Sequence, residues 1–174
     1  MLQKRIMIFS MAIFFAAFVL NTGFAKAQDV QSENKAVAEK PDELRNEEGL
    51  TPLMHAVERG DAAEVFALLN AGADVEAKKA SGVTALMNAA GRGRRDILEL
   101  LLEKGADMNA KAKGGFNVLM SAALNGQTEI VKVLLEKGAD FKAKDDAGQT
   151  ALAFANLKGH WEIVELLKQA GAIE

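Results

Sequence analysis

Cysteine and tyrosine are absent from this chain of 174 residues, which holds one tryptophan, two prolines and two histidines. Without cysteine there are no disulfide staples, so packing alone must hold the fold. Thiol chemistry, Cys-ligated zinc, iron–sulfur clusters and a lipid-modified N-terminal cysteine are excluded with it. Two histidines cannot build a His-rich metal site. What remains is dominated by Ala, Leu, Gly, Lys and Glu, a helical composition.

The chain opens with Lys4 and Arg5, then an almost unbroken apolar run from Ile6 to Leu20, then Ala25-Lys26-Ala27. That order of a positive start, an apolar stretch and small residues around a cleavage point is the pattern of a bacterial secretory signal. As a helix the run rises only about 22 Å, short of the ~30 Å hydrocarbon core. Residues 1–27 are therefore expected to be a signal peptide cleaved near Ala27, placing the mature chain in the periplasm or outside the cell. An uncleaved N-terminal anchor is the alternative. Cleavage would remove three cations and no acid, taking the formal charge from −3 to −6. Such a balance argues against binding nucleic acid or an anionic membrane surface. Residues 28–48 are polar apart from Val30, Val37 and Leu44 and read as a flexible linker, too poor in apolar surface to offset ordering entropy.

From Gly49 the chain repeats itself. The segments TPLMHAVERG, TALMNAAGRG, NVLMSAALNG and TALAFANLKG begin at Thr51, Thr84, Asn117 and Thr150, each 33 residues after the last. A fixed period of this size marks a solenoid of stacked supersecondary units. Within each unit the Thr or Asn supplies an N-cap, and Pro52 fits the first helical position. Leu53, Met54, Ala56 and Val57 follow at helical spacing. Gly60 and its equivalents break this first helix. A second helix runs through Val65, Leu68 and Leu69, or Ile97, Leu98, Leu101 and Leu102. It ends at Gly72, Gly105, Gly138 or Gly171, where a left-handed residue is expected. Gly82, Gly115 and Gly148 mark a return turn. The units span about 49–80, 81–113, 114–146 and 147–174 within one domain, 49–174. Glu64 replaces Ile97, Ile130 and Ile163, while Lys168 and Asn156 replace apolar or small residues, so both ends read as polar caps that complete the array.

The T-P-L or T-A-L opening, the mid-unit glycine and the L-L-x-x-G-A-D close resemble ankyrin repeats. The resemblance implies an all-α solenoid of helix–turn–helix units with projecting β-turn fingers. Met54, Met87, Met120 and Ala153 stand where that family usually has histidine, so apolar contact should replace its hydrogen bonds. The usual finger Asp survives only as Asp145, with Asn46, Lys79 and Ala112 aligned to it, which predicts looser fingers.

No catalytic, metal or cofactor site is expected. His55 and His160 read as structural, and the hydroxyls of Thr51, Thr84, Ser121 and Thr150 as caps. Asp74, Asp107 and Asp140 lie one repeat apart, too far to share a cation, and read as turn residues. The resemblance points to a non-catalytic, monomeric protein that binds a protein partner, with inhibitor, immunity-type protein or membrane-tethered scaffold as alternatives. The implied surface comprises finger residues Leu50, Val83, Phe116 and Gln149. To these it adds Glu58, Arg59, Gly91, Arg92, Leu124, Asn125, Leu157 and Lys158 at the ends of the first helices. Lys79, Lys113 and the basic trio Arg92, Arg94 and Arg95 suggest an acidic partner. Leu50, Val83 and Phe116 are expected to form an exposed apolar row, and Trp161 to pack across its own turn.

Overall fold

A computed structural model describes Asn46 and residues 49–172. The proposed signal peptide and nearly all of the proposed linker lie outside the described residues. These all belong to one compact unit, residues 39–174. Among the described residues, eight α-helices follow one another in four pairs: α1 Pro52–Arg59 with α2 Ala62–Asn70, α3 Ala85–Gly91 with α4 Arg95–Glu103, α5 Val118–Leu124 with α6 Thr128–Glu136, and α7 Ala151–Lys158 with α8 Trp161–Gln169. Among the described residues the only β pairing is an isolated bridge between Lys78 and Thr84.

Each first helix starts where the sequence offers an oxygen. Thr51, Thr84 and Thr150 accept from the backbone N–H of Met54, Met87 and Ala153 at 3.3, 3.3 and 3.2 Å, and Asn117 from Met120 at 2.9 Å. Ser121 departs from the cap reading. It lies inside α5, and its Oγ donates to Met87 O across the repeat boundary at 3.0 Å.

Stacking follows from small residues in register. Ala56, Ala89, Ala122 and Ala155 are all fully buried, letting α1, α3, α5 and α7 pack successively against one another. Leu53, Leu86, Leu119 and Leu152 form a second ladder, each 1% exposed. Met54, Met87 and Met120 are 0–2% exposed, so methionine fills the space with apolar contact. Such burial contributes about 25 cal/mol per Å² of apolar surface.

The glycines at the repeat joints have a second role. Gly60, Gly93 and Gly126 have φ near +70°, and a Cβ there would lie 2.6, 2.3 and 2.7 Å from the side chains of Arg94, Gln127 and His160. Those three residues, themselves one period apart, lie across the preceding joint. Gln127 Nε2 donates to Gly91 O, and His160 Nε2 stands 3.3 Å from Leu124 O.

The fingers are tied together rather than loose. Lys113 N donates to Ser81 O at 3.0 Å, and Asp146 N to Gly114 O at 2.8 Å, linking finger to finger through backbone alone. Asn46 Oδ1 accepts from Leu50 N just as Asp145 Oδ1 accepts from Gln149 N, so an amide does the work of the aspartate. Asp74, Asp107 and Asp140 each accept from the backbone N–H two residues on, the turn role read from the sequence.

At the first end Glu64 is half-buried and paired with Arg59. At the other end Lys168 is exposed and Asn156 half-buried, yet a groove remains beside Asn156 and Leu157, and Leu157 is 70% exposed. Trp161 is 68% exposed, its indole Nε1 lying beside the Gly159 turn, 4.0 Å from where a Cβ on that glycine would stand.

Candidate functional site

Two grooves divide the anticipated surface. The first, about 350 Å³, opens between the second and third fingers and helices α3 and α5. Val83 and Phe116 form its finger side; Met87, Asn88, Gly91 and Arg92 come from α3 and the residue that caps it; Ser121 and Asn125 come from α5 and its cap. Phe116 is half-buried against the core and meets Phe154 edge to face, ring centroids 5.5 Å apart.

The exposed apolar row does not exist as anticipated. Leu50 is 4% exposed and belongs to the core, while Val83 and Phe116 are partly buried against it. The physical reason is packing: Leu50 belongs to the core, Val83 lies against it, and Phe116 meets the Phe154 ring of the next repeat. Gln149, at the same register, is exposed.

The basic trio is also split. Arg94 lies over Gly60, and Arg95 turns to the opposite face, 2.9 Å from Glu99 and 3.9 Å from Glu129. Only Arg92 borders the groove. Its Nη2 stands 4.0 Å from Glu58 Oε1, which also accepts from Lys79 Nζ at 2.8 Å and Asn88 Nδ2 at 3.1 Å. The Lys79 bond chiefly holds the Glu58 carboxyl below its ordinary range, with Asn88 and the charge of Arg92 assisting against the opposing effect of burial. Glu58 is therefore a hub that joins the first repeat to the second and adjoins the groove. Arg59 is occupied by Glu64. Lys113 is exposed, Leu124 half-buried, and Asn125 donates to Ser121 O at 2.8 Å.

The second groove, about 780 Å³, lies at the open end of the stack and takes in Gln149 and Leu157. Lys158 follows Leu157 and is exposed. Sequence reasoning missed Asn88 and Ser121 in the first groove and Phe141, Lys142, Lys144 and Ala153 in the second. Asn88 was within reach, because it lies three and four residues before Gly91 and Arg92 and so shares their helix face.

The outer face of the second helices offers little to a partner. A chain of ion pairs crosses α4, α6 and α8: Glu99–Arg95, Arg95–Glu129, Glu129–Lys132 and Lys132–Glu162. Hydrogen bonding to Lys132 chiefly depresses the Glu129 carboxyl, and Glu99 chiefly raises the Arg95 guanidinium. Phe66 is 52% exposed there, with Lys104 Nζ 5.6 Å over its ring.

Among the described residues no group of three or more His, Cys, Asp or Glu could hold a metal ion, and no helix is long and apolar enough to cross a membrane. A family model described as ankyrin repeats (3 copies) matches residues 25–112 and 110–173. No curated protein matches the chain.

Proposed function

The chain belongs to the ankyrin-repeat family, whose members generally serve as protein-interaction modules, and on that premise we propose that it binds a protein partner in the bacterial periplasm through the groove between the second and third fingers. The observation that carries this reading is the groove itself. Phe116 and Val83 offer partly covered apolar surface beside Asn88, Arg92 and Asn125, the mixture of aromatic anchor and polar rim that interface cores use. Caps, buried ladders and finger-to-finger bonds hold these groups in place, so docking loses little conformational entropy. Periplasmic placement rests on the signal-like order of residues 1–27. No catalytic step is assigned to the groove: its only charged lining residue is Arg92, and the family is typically non-catalytic.

Affinity capture from a periplasmic extract tests the reading. Wild-type protein should retain a partner that the groove-filling variant Asn125→Arg releases, with both chains melting alike. A partner retained equally by both would move the binding surface elsewhere.

A further inference from the structure

The methionine ladder ends in a hollow. Met54, Met87 and Met120 fill one register on α1, α3 and α5, but α7 has Ala153 there. The shorter side chain leaves room, and the larger groove opens above it, with Leu152 and Ala153 from α7 and Phe141 and Leu157 beside them. The backbone around it is also left open in register. Ser81 O and Gly114 O each accept an N–H from the next finger, whereas Ala147 O, one period later, accepts none among the described residues. A Cβ on Gly82 or Gly115 would meet the next finger at 2.9 or 2.8 Å, whereas one on Gly148 would meet nothing within 4 Å. The face thus repeats the surface that receives a helix at each earlier joint.

Its charge identifies what it can receive. Among the described residues, Lys142 and Lys144 line the groove and no carboxylate does. Neither lysine forms an ion pair among the described residues, although the chain is acidic overall. A second copy stacked head to tail would need apolar surface at the first repeat, where Leu53, Met54 and Val57 are 0–1% exposed. We propose that this end face docks an acidic amphipathic helix of a partner protein. One apolar side chain enters the hollow above Ala153, and carboxylates on the helix flank meet Lys142 and Lys144. This surface is separate from the finger groove.

Fluorescence anisotropy on the full chain tests it, using a labelled peptide of about 18 residues, long enough to become helical. The peptide has leucines on one face and glutamates on the flanks; a second peptide has lysines in place of the glutamates. At low salt the glutamate peptide should bind at least about tenfold more tightly than the lysine peptide, the preference shrinking as salt screens it. Lys142→Glu combined with Lys144→Glu should weaken binding of the glutamate peptide about tenfold at low salt, and Ala153→Arg should abolish it by filling the hollow. Arg92→Ala should leave it unchanged, whatever becomes of the finger groove. Thermal melts confirm that each variant is folded; the charge reversals are on exposed side chains and test the proposal even if Ala153→Arg does not fold. Equal binding of the two peptides, no binding of either, or binding retained in the charge-reversed chain would overturn the proposal. Dimerisation of the chain, lost on charge reversal, would assign the face to a second copy instead.

Discussion

Gly105 has φ of +90°, and a Cβ there would meet nothing within 4 Å, so any cost of a side chain is backbone strain alone. Gly105→Ala should destabilise by about 1 kcal/mol, read from the urea midpoint; an unmoved midpoint would mean that the helix end tolerates a different conformation. Gly126 adds a collision, because its Cβ would lie 2.7 Å from the His160 ring. Gly126→Ala should therefore cost more than Gly105→Ala, and adding His160→Ala should recover the excess in a double-mutant cycle. Additive losses would show that the ring moves aside freely. Phe116 changes role once its surroundings are known. Half-buried and set against Phe154, it contributes to the fold as well as to the groove, and Phe116→Ala should lower stability by about 1–2 kcal/mol, visible as a lower melting temperature. Its helical neighbours and its register were legible in the sequence, but its burial was not. That depends on Phe154, which occupies a position held by His55, Asn88 and Ser121 in the other repeats, so periodicity could not foretell an aromatic partner.

Elements are joined here by a few polar contacts laid over apolar ladders. Glu58, near the end of α1, holds Lys79 at the base of the second finger and Asn88 on α3. Because its folded carboxyl is depressed by these partners, its contribution is fully present above the unfolded carboxylate value of about 4.3. It is lost as pH falls through the lower folded value. Glu58→Gln should therefore destabilise at neutral pH, and the gap from wild type should narrow as the solution is acidified below about pH 4. A gap independent of pH would show that the carboxyl's charge contributes nothing to the joint. Helix starts, breaks and the turn aspartates were legible because each depends on one residue's local chemistry. The finger-to-finger bonds were not, since they use backbone N–H and C=O groups that carry no residue signature. The missing finger aspartates therefore suggested a looseness that the stacked backbone corrects.

At the scale of the whole molecule, the period of 33 residues made the fold class and the ladder of small and apolar positions readable before any coordinates. The binding surface was readable only in part, because a repeat pattern says which residues are equivalent and not which way each turns. Arg92, Arg94 and Arg95 are neighbours in sequence yet serve the groove, the joint and the outer face separately. The proposal of export rests on residues outside the described ones: a fusion reporter active only in the periplasm should work when joined after Glu48, and the mature protein should begin at Gln28. Full-length chain kept in the cytoplasm would contradict the periplasmic proposal. The central claim is that the partner sits between the second and third fingers. Photo-crosslinking in cells tests it most directly, with a photoreactive amino acid placed in turn at Asn88 and Asn125 in the groove and at Glu136 on α6 outside it. The groove positions should capture the same protein and Glu136 should not; capture from Glu136 alone, or from none of the three, would contradict the claim.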